Sequence, residues 1–341
     1  MLGGAPSPRE AALREAPRIE RRLAEHLGPP GAAWRARLVN ASRSEGGALL
    51  FEATCGATGR RVAAKLFALP GRARAEFDAA EARGTGGATL ARALFCDEAM
   101  GLLVSDWVAG VTLAQALARG KGREGLGEAG RWLRRFHGEG QGRPRVFQPL
   151  VVLADVCDAA AALSAEMPPA ERAAFRRAVE GLVERASRTL PGLYRPVRLH
   201  GDFHSGNVIL SPGGAVALDL THARVGPREG DLARMTVQLE ISAEVEPSGF
   251  DPGAAREAFL RGYGLGRRGR ARLSLREGAE LLRRWQVASR SRAPRPSRAQ
   301  AVQAILARRG WLVLALATLG EALPEPDRRP GAAVAAVAAL A

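Results

Sequence analysis

Two polar side chains in one short segment have the types and spacing that suit chemistry on a hydroxyl group. The segment reads RLHGDFHSGNVIL, and within it Asp202 and Asn207 stand five positions apart between apolar runs. A compact loop with this spacing can aim a carboxylate at a hydroxyl while an amide oxygen faces a metal ion. The alternative is a plain polar turn, because Asp and Asn also favour turn positions.

Two residues outside that segment favour the chemical interpretation. Asp219 ends the strand-like run AVALD, in which alternation places it on the face lined by the small residues Ala215 and Ala217. Lys65 is one of only two lysines among fifty basic residues, and the other, Lys121, lies in a Gly-rich loop. A compact ammonium is not interchangeable with a planar guanidinium where space around a phosphate is tight. The alternative for Lys65 is a strand lysine that snorkels to solvent.

These four side chains together match the requirements of phosphoryl transfer from ATP. The reaction needs phosphate charge neutralised, magnesium held by oxygen ligands and one carboxylate beside the attacking hydroxyl. Magnesium keeps several waters, so that one Asp and one Asn suffice when ATP phosphates are co-ligands. The sequence therefore predicts ATP and Mg²⁺ as cofactors.

The same residues carry a resemblance to a known family. LHGDFHSGNVIL followed by AVALDL resembles the HGDxxxxN loop and metal-binding aspartate of the aminoglycoside phosphotransferase-like kinases, a branch of the protein-kinase-like fold that includes choline and fructosamine kinases. The resemblance covers about residues 38–321. It implies Asp202 as the catalytic base and Lys65 on the ATP α- and β-phosphates. It further implies Asn207 and Asp219 as magnesium ligands.

The resemblance also implies roles for supporting residues. His200 would be a structural residue that holds the loop through ring hydrogen bonds. Asp231 would brace the same loop, although a helix N-cap after Gly230 is the simpler alternative. The run LLVSDWVAG resembles the hinge between two lobes, whose backbone would bind adenine from Asp106 to Val108.

Two departures from the family pattern concern the nucleotide site. The first two strands are joined by NASRSEGGALLF, which lacks a GxGxxG motif, so that backbone amides with Ser42 or Ser44 are the expected phosphate contacts. The acidic partner of Lys65 is either Glu76 or Glu81. Glu76 is preferred because it lies in an early helical turn with apolar neighbours.

Hydrophobic patterning predicts an α+β architecture, and the resemblance makes it a protein-kinase-like two-lobed fold. The small N-lobe is antiparallel and β-rich, and the larger C-lobe is mainly helical. A break is expected at Pro17 in the N-terminal helix. The predicted divisions are a helical extension (1–30), a nucleotide-binding N-lobe (31–108), a catalytic and substrate-binding C-lobe (109–325) and a low-complexity tail (326–341).

Composition limits the location of the protein. The longest apolar runs, 311–317 and 332–341, are at most half of the roughly 20 residues that span a bilayer. The three cysteines are scattered without CxxC spacing, which argues against a disulfide framework or structural zinc. We expect a cytoplasmic protein without a transmembrane segment.

The formal net charge of +15 is concentrated in one segment. Between Arg256 and Arg298 thirteen arginines stand against three glutamates. The interpretations are a solvated helical face or a docking surface for an acidic substrate, an anionic membrane or nucleic acid. Nucleic acid is not expected, because aromatic residues are not interleaved with the arginines.

The leading hypothesis is transfer of the ATP γ-phosphate to a hydroxyl of a small molecule. The basic segment favours a neutral or anionic acceptor, such as a sugar, a sugar phosphate or a lipid headgroup, with peripheral contact to anionic surfaces as a further expectation. The alternatives are an aminoglycoside or choline-type kinase and a nucleotide-binding pseudokinase scaffold.

Overall fold

The computed structural model describes nine stretches of the chain, which form two compact units. The stretches are residues 8–29, 31–41, 47–81, 90–138, 143–154, 169–220, 224–245, 250–290 and 296–309. Among the described residues, the first unit comprises those within 1–113, 200–202 and 206–223, and the second comprises those within 114–199, 203–205 and 224–309.

The first unit is built on a five-stranded antiparallel sheet with the order β1-β2-β3-β5-β4. Its strands are β1 (Trp34–Ala41), β2 (Ala48–Cys55), β3 (Arg61–Phe67), β4 (Ala93–Asp97) and β5 (Leu102–Asp106). β1, β2 and β3 form an antiparallel meander, in agreement with the antiparallel, β-rich N-terminal part that the sequence predicts. In β3, Lys65 stands opposite Leu50 of β2 and Leu103 of β5, which places it near the middle of the sheet.

One face of this sheet is covered by the N-terminal helix α1 (Pro8–Leu27). Its residues Ile19 and Leu23 are fully buried against sheet residues such as Phe51 and Val104. The helix continues through Pro17, where the sequence predicted a break. Burial of its apolar stripe outweighs the one hydrogen bond that proline removes. The predicted extension is thus part of the core of the first unit.

The opposite face of the sheet carries Lys65 and the helix α2 (Pro70–Glu81). Side chains alternate along β3, so that Val62 and Ala64 point to the α1 side while Lys65 and Phe67 point to the α2 side. A small cluster of Phe67, Ala73 and Leu103 fixes α2 on this face. The lysine therefore lies beside a helix rather than in open solvent.

A second sheet in the first unit is formed by β6 (Val111–Thr112), β10 (Val208–Ser211) and β11 (Gly214–Ala217), in the order β11-β10-β6. The sequence assigned the last two strands to the larger lobe. In the structure they group with the first unit, because β6 pairs with β10 and because Leu90 bridges Ala217.

The second unit is mainly helical. Its core includes Trp285, Phe175 and Leu282, all with less than 3% of their surface exposed. Two small ribbons, β7 with β8 and β9 with β12, complete it. The elements are α3 (Leu113–Ala118, which begins at the unit boundary), α4 (Arg123–His137), β7 (Arg145–Phe147), α5 (Pro169–Ser187), β8 (Gly192–Tyr194), β9 (Val197–Arg198), β12 (Val225–Gly226), α6 (Glu229–Val245), α7 (Pro252–Tyr263), α8 (Arg267–Arg290) and α9 (Pro296–Arg308).

Among the helices described above, from α1 to α9, none combines the length and the apolar character needed to cross a bilayer. This finding concerns only the described residues. The predicted α+β class, with an antiparallel β-rich N-terminal part and a mostly helical remainder, is confirmed.

Helices α4 and α7 approach each other through glycine. A Cβ atom at Gly130 would overlap the carbonyl oxygen of Phe259 and would lie 2.7 Å from the nitrogen of Tyr263. A Cβ atom at Gly262 would likewise overlap the backbone of Gly127. Because these neighbours are backbone atoms, they cannot rotate away as a side chain would, and the helices must separate to admit a methyl group.

We predict that Gly130→Ala lowers the free energy of unfolding by about 1–3 kcal/mol, the usual cost of overpacking. The matched control is Gly266→Ala, at which a Cβ atom meets nothing within 4 Å. Urea unfolding followed by circular dichroism measures both variants. Equal stability of the two would contradict the close helix contact.

Candidate active site

The centre of the candidate site is an ammonium group held by two carboxylates within the first unit. Nζ of Lys65 donates hydrogen bonds to both oxygens of Glu76, at 3.1 and 3.0 Å, and to Oδ1 of Asp219 at 2.8 Å. Lys65 comes from β3, Glu76 from α2 and Asp219 from the segment after β11. A strand, a helix and the segment after a hairpin thus meet at one positive charge.

The structure distinguishes between the two acidic candidates on α2. Glu76 is only 6% exposed and faces Lys65, whereas Glu81 is exposed at the end of the helix. The inward face of α2 is set by Ala73, which is fully buried one turn before Phe77 and packs in the same cluster. Glu76 is therefore the residue that the fold brings to the lysine.

Burial governs the protonation of this cluster. It raises the pKa of Glu76 to about 7, because desolvation and the nearby Asp219 carboxylate together outweigh the opposing charges of Lys65 and Arg72. Burial also acts to lower the pKa of Lys65, but the charges of Asp219 and Glu76 exceed this effect and the net pKa is raised. Lys65 is consequently a cation at neutral pH.

The loop that carries Asp202 is closed by its own side chains. Nδ2 of Asn207 donates to the backbone oxygen of Asp202 at 3.0 Å and to its Oδ2 at 3.4 Å. The backbone N–H of Asp202 donates to Nδ1 of His200 at 3.3 Å, and His200 is fully buried. The turn predicted from the sequence is thus present, and it orients the Asp202 carboxylate and the Asn207 amide together.

Asp219 is placed next to this loop by the hairpin of β10 and β11. β10 begins directly after Asn207, and the N–H of Leu218 donates to the carbonyl of Asn207 at 2.9 Å. The strand ends at Ala217, two residues earlier than the sequence suggested, so that side-chain alternation does not continue to Asp219. Asp219 instead adopts a φ of 61°, which among the described residues other than glycine occurs only here.

The left-handed conformation of Asp219 directs its carboxylate to Lys65. Asp tolerates this region better than most residues, yet the conformation still costs free energy and persists where surrounding contacts impose it. The contacts here are the backbone hydrogen bond of Leu218 on one side and the ion pair with Lys65 on the other. Such a backbone outlier is typical of a functional position.

The predicted adenine hinge follows β5. The N–H of Asp106 already donates to the carbonyl of Arg92, and its carboxylate pairs with Arg92 at 3.1 Å and with Arg60 at 3.5 Å. Val108 lies two residues further, outside any strand, and is half-buried. Of the two residues expected to present backbone to adenine, Val108 thus has the more suitable surroundings.

The hinge is held against the β10 strand by Gly110. This residue has a φ of 150°, and a Cβ atom there would overlap the carbonyl of Leu210. Only glycine allows this approach without displacement. The expected phosphate contacts Ser42 and Ser44 lie outside the described residues.

Asp231 has a different setting from the predicted helix cap. Helix α6 begins at Glu229, so that Asp231 is already inside the helix, and the N-cap interpretation is wrong. Its Oδ2 lies 3.0 Å from Nε2 of His137, and Nδ1 of His137 lies 2.9 Å from the hydroxyl of Tyr263. All three side chains are buried within the second unit. The role of Asp231 as a brace of the catalytic loop stays a prediction.

His137 was not among the functional residues predicted from the sequence. Its signal was its position on α4, where it continues the buried stripe of Leu126, Ala129 and Leu133 at intervals of three and four residues. A histidine on an apolar stripe requires a buried polar partner. The partner lies 94 positions away, and the sequence alone does not identify it.

The residue after Asp202 is anchored in the second unit. Phe203 is fully buried there, and its ring stacks 5.6 Å from Trp132 of α4 and 6.2 Å from Phe259 of α7. Aromatic pairs of this kind restrict ring position more than area burial alone would. Asp202 is thus preceded by a buried histidine and followed by a stacked phenylalanine, which limits the positions that its backbone can take.

The fold is protein-kinase-like, and it is shared with solved kinase and phosphotransferase structures. The chain belongs to the phosphotransferase enzyme family (APH), whose sequence profile matches residues 68–277, well over half of its length. The matched range includes the Asp202 loop and Asp219 and begins three residues after Lys65. The resemblance identified from the sequence is thereby confirmed.

Curated relatives match only part of the chain. The serine/threonine protein kinase RdoA of Salmonella typhimurium is 34% identical over 135 residues, which are 36% of this chain and 41% of the relative. The chain therefore spans about two fifths of the length of the curated relatives it matches.

Solved structures extend the likeness over most of the chain. A glucosamine kinase in complex with glucosamine, ADP and inorganic phosphate has 18% identity and a TM-score of 0.54, covering 89% of this chain and 86% of its own. A thermostable mutant of the aminoglycoside phosphotransferase APH(4)-Ia, in a ternary complex with AMP-PNP and hygromycin B, has 15% identity and a TM-score of 0.61, covering 86% and 98%. At these identities the likeness establishes the fold alone.

The raised pKa of Glu76 predicts a specific pH dependence of stability. A carboxyl group whose pKa rises on folding favours the folded state at low pH, and this contribution is lost as pH increases from about 4.5 to 7. Lys65 keeps its charge over this range and adds no slope of its own. As the pH rises from 5 to 8, the free energy of unfolding of Glu76→Gln should therefore increase relative to that of the unaltered protein. The increase should be at most about 3 kcal/mol, at about 1.4 kcal/mol per pKa unit.

Urea unfolding of both proteins at half-unit pH steps measures this difference. Glu81→Gln, on the exposed end of the same helix, serves as the control and should show no such trend. A constant difference between Glu76→Gln and the unaltered protein would mean that Glu76 is ionised throughout.

Proposed function

We propose that the protein is an ATP- and Mg²⁺-dependent kinase that transfers the γ-phosphate of ATP to an alcohol hydroxyl of a small molecule. The single observation that carries the proposal is the convergence of Lys65, Glu76 and Asp219 beside the closed Asp202–Asn207 loop. A protein that needed these residues only for stability would gain little from burying a lysine between two carboxylates, because desolvation offsets much of the attraction.

Asn207 and Asp219 are the residues that would hold magnesium. The nitrogen of the Asn207 amide is engaged by Asp202, which leaves the amide oxygen as its atom for a cation. The Asp219 carboxylate supplies a second oxygen and is the more exposed partner of Lys65, with 41% of its side chain accessible. Oxygen donors of this kind suit Mg²⁺, which would neutralise phosphate charge there and keep several waters.

Within the described residues there is no cluster of three or more His, Cys, Asp and Glu side chains that could bind a metal, so the phosphates would complete the ligand set.

Asp202 would act as the base. Its carboxylate accepts the proton of the acceptor hydroxyl as the hydroxyl oxygen attacks the γ-phosphorus. The bond between that phosphorus and the β–γ bridging oxygen breaks, ADP leaves with the bond's electron pair, and the phosphorylated acceptor forms. Asn207 positions the carboxylate through its two hydrogen bonds to Asp202.

Lys65 would bind the nucleotide phosphates. In the structure it is shared by Glu76 and Asp219, and an incoming phosphate would replace Asp219 as its partner while Glu76 keeps it in place. Adenine would meet the backbone near Val108, and backbone amides with Ser42 or Ser44 would contact the phosphates. These roles are supported by the family resemblance and by the positions of Lys65 and Val108.

The proposed acceptor is neutral or anionic rather than polycationic. The support is the excess of arginine between residues 256 and 298, although part of that charge is paired in the structure. Arg256 lies 2.9 Å from Glu277, Arg270 lies 2.8 Å from Glu257, and Arg284 lies 2.8 Å from Glu280. A sugar, a sugar phosphate or a lipid headgroup fits this balance better than an aminoglycoside, and contact with anionic surfaces remains part of the proposal.

A second candidate is a seryl or threonyl hydroxyl of a protein. The observation that favours it is the relative named as a serine/threonine protein kinase, which shares 34% identity over 135 residues. A labelling experiment separates the two. With ATP labelled in its γ-phosphate and a cell extract as acceptor, label in acid-soluble metabolites supports the small-molecule acceptor, and label in precipitated protein supports the second candidate.

We predict that Asp202→Asn lowers the rate of phosphate transfer by about 10²–10⁴, the usual contribution of general base catalysis. Nucleotide affinity should change little, because Asp202 acts on the acceptor. The matched control is Asp78→Asn, which removes a surface carboxylate that pairs with Arg74 on α2. An unchanged rate in Asp202→Asn would end the kinase proposal. Binding of ATP without turnover of any acceptor by the unaltered protein would support the pseudokinase alternative.

A further inference from the structure

Helix α2 carries an arginine one turn before Glu76 on the same face. Arg72 and Glu76 are four residues apart, so that their side chains lie one above the other on the helix. Arg72 is half-buried, whereas Arg74, two residues later, points to the exposed side and pairs with Asp78 at 2.8 Å. Two arginines of one helix thus have opposite surroundings.

Arg72 and Lys65 share a contact with one aromatic ring. Nζ of Lys65 lies 4.7 Å from the ring centre of Phe67, and the guanidinium carbon of Arg72 lies 5.5 Å from the same centre. Phe67 is 4% exposed and belongs to the cluster that fixes α2 on the sheet. The ring keeps both cations on the α2 side of β3, and contacts of this kind favour a fixed position of each charge.

The charges of the cluster around Lys65 allow it to bind an anion. Lys65 and Arg72 supply two positive charges, and Glu76 and Asp219 supply two negative charges when ionised. If Asp219 turns to a magnesium ion, as proposed above, Lys65 loses one of its two carboxylate partners. The ammonium of Lys65 and the guanidinium of Arg72 would then both attract an anion on the α2 side of β3.

We propose that Arg72 is a second cationic ligand of the nucleotide polyphosphate, beside Lys65. This inference rests on the proposed function, because it concerns the same nucleotide. The sequence between β1 and β2 lacks the GxGxxG motif, and a guanidinium that binds phosphate oxygens in bidentate fashion can supply hydrogen bonds that such a loop would give. Arg72 lies one helical turn from Glu76, so that α2, the helix that positions Lys65 through Glu76, also positions Arg72.

The inference is tested by nucleotide binding rather than by turnover. Isothermal titration with ATP, ADP and AMP, each with Mg²⁺, is carried out on the unaltered full chain and on three variants. Arg72→Met keeps an apolar stem against Phe67 without charge, Arg72→Lys keeps the charge without the planar fork, and Arg74→Met is the matched control on the exposed side. Thermal unfolding of each variant establishes that it is folded.

Arg72→Met should weaken ATP and ADP binding by about 10-fold or more, as expected for loss of a charge-assisted hydrogen bond, and should change AMP binding by less than about 2-fold. Arg72→Lys should lie between this variant and the unaltered protein, and it replaces Arg72→Met as the test if the latter does not fold. Arg74→Met should bind all three nucleotides like the unaltered protein.

The outcomes separate the two proposals. If the unaltered protein binds ATP and the Arg72 variants bind ATP and ADP as tightly as Arg74→Met, the inference is overturned and the proposed function stands. Equal weakening of all three nucleotides would also overturn it, because the effect would then be on the fold of α2. If the unaltered protein binds no nucleotide, the proposed function itself fails.

Discussion

The structure of the first unit depends on one partly buried positive charge. Lys65 retains only 17% of its side-chain exposure, and an ammonium in such surroundings is stable only with anionic partners. Glu76 fixes the position of α2 against the sheet, and Asp219 fixes the end of the β10–β11 hairpin. These two partners are separated from Lys65 by 11 and 154 positions in the sequence. One ion cluster therefore joins the five-stranded sheet, its helix α2 and the end of the β10–β11 hairpin.

The hairpin transmits this constraint to Asp202. The hydrogen bond from Leu218 to Asn207 joins the residue after β11 to the residue before β10. The side-chain amide of Asn207 in turn donates to Asp202. A displacement of Asp219 would thus alter the position of Asp202, the proposed base, through two hydrogen bonds. The positive φ of Asp219 shows that the backbone accepts strain in order to keep the carboxylate at the lysine. The position of the Asp219 carboxylate thus matters both for the ion pair with Lys65 and for the proposed phosphate transfer.

Local patterns were enough to predict the antiparallel, β-rich N-terminal part, the mostly helical remainder and the types of residue in the candidate site. The N-terminal part is antiparallel and β-rich as expected, and Lys65 meets Glu76, the acidic partner preferred from the sequence. What could not be predicted depends on contacts between distant residues. The apolar stripe that keeps α1 helical through Pro17 acts only against the sheet.

The setting of Asp231 shows the same limit. A carboxylate near a helix start indicates a cap, and only the distant His137 makes it a buried hydrogen-bond acceptor. The left-handed backbone of Asp219 likewise exists because Lys65 is 154 residues away in sequence but adjacent in space. Sequence spacing gives the types of residue in a site, whereas these conformations follow from long-range packing.

The preference for arginine over lysine also has a structural explanation. In the second unit, buried carboxylates are held by several guanidinium groups at once. Glu280 lies close to Arg283 and Arg284, whose hydrogen bonds and charges outweigh the effect of burial and lower its pKa to about 2. Arg256 in turn reaches both Glu257 and Glu277, which a branched guanidinium can do. A surplus of arginine is thus expected wherever one buried carboxylate requires several donors, and net charge alone does not indicate a nucleic-acid partner.

Position 65, in contrast, favours a lysine over an arginine. A planar fork held in bidentate fashion by a carboxylate is fixed in one geometry, whereas an ammonium can rotate and change partners without losing its remaining contacts. Under the proposed function, Lys65 exchanges Asp219 for a phosphate while it stays bound to Glu76. This sequence otherwise uses arginine for nearly all of its positive charge. It therefore has a physical reason to keep lysine at position 65, where the ammonium would exchange one anionic partner for another.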